Sequence, residues 1–374
     1  MISRVAQRLS GELVAPGWEK PVGLWLAGSA TMVTSMIFIG GYTRLSGSGL
    51  SMTTWNLAGR SLPKGEDWLK EFEQYKQFPE YKKMYDGRMT IDEFKRIYFV
   101  EWFHRMLGRA TGAVFLLPLS GFLVAGALRK PLLYRLGALG SLGLTQGLIG
   151  WWMVRSGLNP ELLDASKPPR VSSYRMCFHW LMALGLYGGC SWLAMSLLLK
   201  RPTAMPRGVL ERIRKASLFP LSFAAVTLTS GPFVAGNDAG RAFNSWPKMG
   251  EVWVPEEVKD FGRQVISGVE IGNSSDAAYR RIFEDTAIVQ FAHRCLAYGT
   301  VLSSLGFGWF SSRLVPRGSI LSMACRAVPL VAIAQMTLGI TTLLMYVPLE
   351  LGLAHQAGGL AVFSSLLLVR YLTG

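Results

Sequence analysis

The stretch EWFHRMLGR, residues 101–109, occurs a second time in altered form as QFAHRCLAY, residues 290–298. Both copies contain a His-Arg pair, and both lead into a hydrophobic run. They differ three residues before the histidine, where the first copy has Glu101 and the second has Gln290. A motif that recurs at this distance predicts a duplicated unit, so the rest of the chain should repeat as well.

Long hydrophobic runs determine the fold class. Half of the 374 residues are hydrophobic and only 17% are charged, a composition that is rare in soluble proteins of this size. Windows of about 19 residues with almost no charge predict membrane-spanning helices, because about 20 residues of helix cross the hydrocarbon core. The sequence therefore predicts an all-α polytopic membrane protein. Its eight predicted transmembrane helices lie at about 22–44, 106–128, 132–154, 176–199, 217–236, 287–312, 319–347 and 350–371.

The polar residues within these spans repeat at the same spacing. Forty-two residues separate His104 from Gln146, and 42 also separate His293 from Gln335. Each half also contains a Gly/Ser-rich stretch that reaches a Trp, at 40–56 and at 230–250. Four spans in each half is an even number, so both halves would have the same orientation. We therefore predict two tandem, pseudo-symmetric four-helix bundles. The predicted segments are an N-terminal segment, a first bundle with a long outer loop (45–105), a basic inner linker and a second bundle, at 1–21, 22–200, 201–216 and 217–374.

The positive charge of the chain is concentrated in short links between the predicted spans. The net charge is +15, which by itself is compatible with binding to nucleic acid. However, the 200–216 link holds six bases against Glu211 alone, a distribution typical of loops on the cytoplasmic or matrix side. We therefore expect the lipid bilayer and no nucleic acid as a partner, with both termini on the inner side. The 155–175 link carries four bases and weakens this assignment.

The long outer loop contains the stretch WLKEFEQYKQFPEYKKMY, residues 68–85, in which charged and aromatic residues alternate. This pattern predicts a short amphipathic helix at the membrane interface. Such a helix could cover a pocket or lie solvated on the membrane surface.

The chain has only four histidines, and each lies at the start of an even-numbered predicted span. Even-numbered spans start on the outer side, so all four imidazoles would lie near the outer leaflet, two in each bundle. Polar residues inside lipid are unfavourable and usually mark a site. Two neutral imidazoles from facing helices can occupy the two axial positions of a haem iron. The candidate ligands are His104, His179, His293 and His355.

Arg105 and Arg294 each follow a histidine directly. Their guanidinium groups could pair with haem propionates at the outer surface, or could serve only as interface anchors. A lone intramembrane histidine is more often a packing residue than a ligand. Four histidines at repeated positions favour the haem interpretation.

A di-metal carboxylate site is a competing interpretation, because Glu101 and His104 have the spacing that places both groups on one helix face. Such a site needs a second copy of the motif, and the second copy has Gln290 instead. The third, fourth, seventh and eighth spans offer no acid apart from Glu350 at a boundary. The di-metal interpretation therefore lacks ligands.

Several longer stretches resemble a known family. E-x-x-H-R at 101–105, TRLSGSGLSMTTWN at 43–56 and FNSWPKMGE at 243–251, together with the four histidines, closely resemble haem A synthases. The resemblance covers about 22–370. The outer loop and TTLLMYVPLELGLAHQ at 341–356 are similar to the mitochondrial and alphaproteobacterial branch.

This resemblance implies an oxidoreductase that converts the C8 methyl of haem O to a formyl group by successive hydroxylations, making haem A for cytochrome c oxidase. It implies haem O as substrate between His104 and His179, and haem b as an electron-relaying cofactor between His293 and His355. As partners it implies a ferredoxin-type electron donor, haem O synthase and cytochrome c oxidase assembly factors, and it is compatible with a homo-oligomer. It places the protein in the mitochondrial inner membrane or a bacterial plasma membrane.

Only the first copy of the motif has an ionisable group one helical turn before its histidine. We expect Glu101 to be catalytic, because a carboxylate there could accept or deliver protons at a reacting haem edge. Its alternative role is to cap the N-terminus of a helix, where an acid is favourable.

The main alternative function is that of a non-enzymatic bis-histidine cytochrome, an electron carrier. A carrier that moves electrons across the membrane should have haems at both leaflets, whereas all four candidate ligands lie on one side. A transporter built from repeats would need polar residues near the midplane, for which only Gln146 and Gln335 are suggestive. Haem O synthase would need Asp-rich motifs for a prenyl diphosphate, and the sequence has none.

Overall fold

The computed structural model describes residues 13–85, 87–159, 169–202, 205–267 and 275–374, without the side chains of 275–279. Residues 1–12 of the predicted N-terminal segment and residues 160–168 of the basic 155–175 link lie outside this description. Within the described ranges the chain is helical, with two isolated β-bridges that join Val14 to Leu128 and Met249 to Val252.

All eight predicted spans coincide with long helices. The described α-helices are α1 (Glu19–Leu45), α2 (Asp67–Lys76), α3 (Ile91–Val124), α4 (Lys130–Leu158), α5 (Ser173–Leu198), α6 (Arg207–Ala216), α7 (Leu218–Gly236), α8 (Glu256–Ser267), α9 (Ser275–Glu284), α10 (Thr286–Ser312), α11 (Ile320–Leu344) and α12 (Leu349–Thr373). The long helices are α1, α3, α4, α5, α7, α10, α11 and α12. The shorter helices belong to the links and loops between them.

Six of the described segments are long and apolar enough to cross a membrane. They are α1, α3, α5, the combined stretch Arg207–Gly236, α11 and α12. This finding confirms an all-α protein with several membrane-spanning helices. In α4 and α10, glycines and polar side chains such as Gln146 and His293 lower the hydropathy. Membrane crossing by these two helices stays a prediction.

The chain divides into two compact units between Lys200 and Arg201. In the first unit, four long helices form a closed ring: α1 packs against α3 and α5, and α4 also packs against both. Buried apolar side chains such as Trp25 and Leu136 form a core at the end of the ring that holds the α3–α4 link. Because lipid tails are as apolar as these side chains, close van der Waals packing holds such helices together.

The second unit has the corresponding ring. Its helix α10 packs against α7 and α11, and α12 also packs against both. The hydroxyl groups of Thr227 and Thr300 lie 2.8 Å apart and join α7 to α10, a type of interhelical hydrogen bond that is favourable in lipid. The predicted basic linker contains α6, in which Ile213 is buried while the Arg and Lys side chains are exposed.

Helix α3 begins well before the predicted span. Its N-cap is Thr90, whose hydroxyl accepts a hydrogen bond from the Glu93 N–H while the Glu93 carboxylate accepts one from the Thr90 N–H. The interpretation of Glu101 as a helix cap is therefore wrong, because Glu101 lies ten residues inside the helix. The first turns of α3 are too polar to belong to an apolar run, so hydropathy does not detect them.

The predicted amphipathic helix of the 45–105 loop is α2, and its apolar face is covered by the first turns of α3. Phe72 and Tyr75 stack on Phe94 with ring centroids 5.0 and 5.1 Å away. We call this group the aromatic cluster; it consists of Phe72, Tyr75, Tyr81, Phe94 and Tyr98. The cluster also encloses the carboxylate of Glu80, which accepts a hydrogen bond of 2.8 Å from the Tyr75 hydroxyl. The loop is thus packed onto the first unit by protein contacts.

Candidate functional site

In the first unit, His104 lies on α3 and His179 on α5, two helices that both pack against α1. His104 faces Gly40 of α1, where an added Cβ atom would lie 3.4 Å from Nε2 of the imidazole. His179 faces α4, where a Cβ atom at Gly150 would lie 3.1 Å from Cε1 of the ring. Glycine on the facing helix therefore leaves room for each imidazole.

The second unit brings together His293 of α10 and His355 of α12. Their ring centroids are 6.4 Å apart, and the ring planes are inclined by 77°. His355 lies against Gly339 of α11, where a Cβ atom would come within 2.7 Å of Cε1, closer than real contacts allow. His293 contacts α7 through Ser230, whose Oγ lies 2.6 Å from Nδ1 of the ring.

One histidine in each unit is supported by the same two residue types on the neighbouring helix. Gln146 of α4 donates from Nε2 to the backbone carbonyl of His179 at 3.0 Å, and Gln335 of α11 donates to that of His355 at 2.8 Å. The glycine that accommodates the ring follows each glutamine by four residues and therefore lies on the same helix face. From the sequence, these glutamines mark the spacing of the repeat and suggest at most a polar midplane, and neither pattern predicts a contact with a histidine. Their shared Gln-x-x-x-Gly spacing is the signal that could have revealed their role.

In the first copy of the opening motif, the first, fifth and ninth residues hold the loop that follows α1. The carboxylate of Glu101 accepts hydrogen bonds from the Ser51 hydroxyl at 2.8 Å and the Met52 N–H at 2.6 Å. It also forms an ion pair with Arg105, which donates to the carbonyl of Met52 at 2.8 Å. Arg109 donates to the backbone of the same loop. These residues form a clamp on the loop, next to His104.

In the second copy, the first, fifth and ninth residues hold the loop that follows α7. Gln290 donates from its amide to the carbonyl of Phe243 at 3.1 Å, and Arg294 donates to the same oxygen at 3.0 Å. Tyr298 accepts a hydrogen bond from the indole N–H of Trp246 at 3.0 Å. Glu101 and Gln290 therefore each match the groups that their own loop presents. The loop after α1 presents N–H and O–H groups, and the loop after α7 presents a carbonyl acceptor.

The two arginines predicted to bind propionates are thus held against loop backbone. Arg105 contacts a carboxylate as well as carbonyls, whereas the hydrogen bonds of Arg294 go to the carbonyls of Phe243 and Lys248. Nε of Arg294 is buried and has no hydrogen-bond partner among the described residues. It is a donor available to an anionic group of a ligand.

A cleft of about 320 Å³ lies beside the clamp in the first unit, between the 52–55 segment and the last turns of α4. Its lining combines the guanidinium groups of Arg105 and Arg155 with the aromatic side chains of Trp55 and Trp151. The cleft therefore suits a ligand with both apolar and anionic parts.

The spacing of His293 and His355 fits an iron that is held by both imidazoles. Two metal–nitrogen bonds of about 2 Å and two ring radii together span about 6 Å, which matches the 6.4 Å between the rings of His293 and His355. Nδ1 of His179 and Nδ1 of His355 are buried without a hydrogen-bond partner in the described part of the chain. Within the described ranges, no three His, Cys, Asp or Glu side chains come together, so the di-metal interpretation finds no support there.

Comparison with known proteins covers both units. The COX15-CtaA family model, described as cytochrome oxidase assembly protein, matches residues 23–367. "Heme A synthase COX15" of Arabidopsis thaliana is 42% identical over 95% of this chain and 75% of its own length. "Heme A synthase" of Rhodospirillum centenum is 39% identical over 92% of this chain and 86% of its own length. The "Heme A synthase-mitochondrial ferredoxin fusion protein" of Schizosaccharomyces pombe is 36% identical over 93% of this chain and 59% of its own length.

Proposed function

The chain belongs to the COX15–CtaA family of cytochrome oxidase assembly proteins and functions as a haem A synthase, and we propose that its two units bind two different haems. The first unit would bind haem O, the substrate, between His104 and His179. The second would bind haem b, a resident cofactor, between His293 and His355. One observation carries this proposal: each unit holds a pair of imidazoles, and the second histidine of each pair has the same glutamine contact.

The enzyme is an oxidoreductase that makes haem A from haem O. We propose that it oxidises the C8 methyl group to a formyl group by successive hydroxylations. Each hydroxylation breaks a C–H bond of the methyl group, and loss of water from the resulting diol gives the formyl group, so a residue at the reacting edge has to accept or deliver protons. When bound between His293 and His355, haem b would supply one-electron transfer.

We assign the proton transfer to Glu101. The Arg105 guanidinium and the Met52 N–H both donate to its carboxylate, an environment that suits the anion and hence a proton acceptor. Glu101 lies one helical turn before His104, so both residues are on one face of α3. Gln290 at the corresponding position of the second unit cannot titrate, which agrees with a haem that only transfers electrons.

We assign the haem propionates to Arg105 and Arg294. Each guanidinium is already oriented by loop carbonyls, which reduces the conformational entropy lost on binding. In the first unit, Arg155 adds a second positive charge to the same cleft. Each assignment places the charged edge of a haem beside the loop that the arginine of that unit contacts.

The protein is a multi-pass membrane protein of the mitochondrial inner membrane or of a bacterial plasma membrane. We propose that all eight long helices cross the bilayer, four in each unit, with the histidines near the intermembrane-space or periplasmic leaflet. The fission yeast relative is named as a fusion with a mitochondrial ferredoxin, which supports a ferredoxin-type electron donor for this chain. The other partners that the resemblance implies stay predictions.

The test of this function is co-expression of the chain with a haem O synthase, followed by extraction and chromatography of the haems. We expect haem A together with hydroxylated haem O. Normal loading of haem b without either product would instead identify an electron carrier.

A further inference from the structure

The ring of His293 has a hydroxyl partner, whereas no described residue of the first unit provides one to His104. Ser230 of α7 places its Oγ 2.6 Å from Nδ1 of His293. In the first unit the facing residue is Gly40 of α1, whose added Cβ atom would lie 3.4 Å from Nε2 of His104. The two residues occupy similar places, because each faces the first histidine of its unit from the first long helix, five residues before its end for Gly40 and six for Ser230.

The hydrogen bonds of Ser230 determine which nitrogen of His293 carries hydrogen. A serine hydroxyl has one hydrogen to donate. Its Oγ lies 2.7 Å from the backbone carbonyl of Thr227, and a carbonyl can only accept. The hydroxyl hydrogen is therefore used there, and Nδ1 of His293 donates to the lone pair of Oγ. Nε2 of the neutral ring then has a free lone pair for a metal ion.

We infer that Ser230 is a positioning residue for haem b, which holds His293 with Nε2 free for the iron and strengthens the imidazole as a ligand. The inference rests on the proposed function, because haem b is part of that proposal. A ligating histidine that donates its second N–H is fixed in orientation and is more basic. A more basic ligand favours ferric over ferrous iron and so lowers the reduction potential.

The first unit lacks this support. Gly40 has no side chain that could bond to His104, and it leaves space next to Nε2 of the ring. A less strongly held ligand suits a substrate that enters and leaves in every cycle, whereas the hydroxyl in the second unit suits a cofactor that stays.

The test uses the full-length protein, purified with haem b, and its Ser230→Ala variant. The readouts are haem retention against apomyoglobin and the midpoint potential from spectroelectrochemical titration. We expect the variant to keep a bis-histidine spectrum but to hold haem b about 10–100-fold more weakly. The midpoint potential should rise, by about 59 mV for each tenfold change in the relative affinity for the two oxidation states.

Thr227→Val is the matched control, because it removes a partly buried hydroxyl from the same helix, and that hydroxyl bonds to Thr300 and not to a histidine. It should leave both readouts unchanged. A folded Ser230→Ala protein with unchanged retention and potential would overturn the inference. If that variant loses all haem b, recovery by Ser230→Thr supports the inference, and failure of Ser230→Thr to recover it overturns it.

These outcomes are distinguishable from those of the proposed function. A protein that holds haem b and never yields haem A contradicts the proposed function, while the effect of Ser230 is still measured. A protein that binds no b-type haem overturns both.

Discussion

The first unit surrounds its histidine pair with a carboxylate and a glycine, Glu101 and Gly40, whereas the second has Gln290 and Ser230 in similar places. In both units, a glutamine and a glycine one turn apart support the other histidine. The shared residues seat an imidazole between two helices. The differing residues change protonation and ligand strength, which are the properties in which a reacting haem and a resident haem should differ.

The largest expected effect comes from removing one histidine of each pair. His293→Ala should abolish the b-type spectrum of the purified protein, because the iron loses an axial ligand from a rigid helix. His104→Ala should keep that spectrum and yield no haem A. Absorption spectra and haem extraction from both variants measure this separation.

The opposite behaviour of the two histidine variants would contradict this prediction. If His104→Ala removed the b-type spectrum while His293→Ala kept it, the assignment of the two haems to the two units would have to be exchanged. Equal partial loss in both variants would indicate that each unit binds either haem.

The next effect in size concerns Glu101. Glu101→Gln should slow product formation about 10²–10⁴-fold, the usual range for loss of a proton-transferring group, and leave haem b bound. The rate of haem A formation in membranes with excess reductant is the measurement.

Ser51→Ala separates proton transfer from loop anchoring. It removes the hydroxyl that contacts the Glu101 carboxylate and two backbone carbonyls, and leaves the bonds to Glu101 from Met52 and Arg105. Loss of one such bond is worth about 0.5–1.5 kcal/mol, so the rate should fall about tenfold at most. If both variants lost the same activity, Glu101 would act only by holding the loop.

Much of the helical fold could be predicted from the sequence, because apolar runs report directly on buried or membrane-facing helices. All eight predicted spans fall on helices. The start of α3 could not be found in this way, since the turns before Glu101 face the aromatic cluster on one side and solvent on the other. The predicted amphipathic helix exists as α2, but its apolar face packs on α3, which depends on contacts far apart in sequence.

The candidate site was predictable only in its residue types. The repeat identified the four histidines and the contrast between Glu101 and Gln290. It could not show that this contrast matches the donors and acceptors of two different loops. Nor could it pair Ser230 with His293, because 63 residues separate them and only the packing of α7 on α10 brings them together.

A smaller effect should follow from substituting the glycines that face the rings of His355 and His179. Gly339→Ala would place a Cβ atom 2.7 Å from Cε1 of His355, and Gly150→Ala would place one 3.1 Å from Cε1 of His179. Overpacking of this kind costs about 1–3 kcal/mol. We expect Gly339→Ala to weaken haem b retention and Gly150→Ala to reduce haem A formation, with the former showing the larger change.

The matched control for these glycine substitutions is Gly147→Ala, also on α4. An added Cβ atom there has no heavy atom within 4 Å, so haem retention and haem A formation should both stay at the wild-type level. If Gly147→Ala reduced haem A formation as much as Gly150→Ala, a general effect on α4 would explain the result, and a steric clash with the His179 ring would not.

A second acid sets the first unit apart, and its expected effect is on the stability of the outer loop and not on haem binding. Among the described residues the buried acids are Glu80 and Glu101, and both belong to that unit. Burial in the aromatic cluster raises the pKa of Glu80 from 4.5 to about 8, with the charge of Glu101 adding to this and the Tyr75 hydrogen bond and Arg44 opposing it. The folded loop therefore holds a proton that the unfolded loop releases above about pH 4.5.

The sign of the pH dependence follows from this proton. The stability that neutral Glu80 provides is fully present below pH 4.5 and is lost as the pH rises towards about 8. Between these values the loop should lose about 1.4 kcal/mol of local stability per pH unit, measured by hydrogen exchange of residues 67–98. Glu80→Gln should remove this slope, because an amide does not titrate. Glu73→Gln, an exposed acid on α2, should keep it, and an unchanged slope in Glu80→Gln would assign the titration to another group.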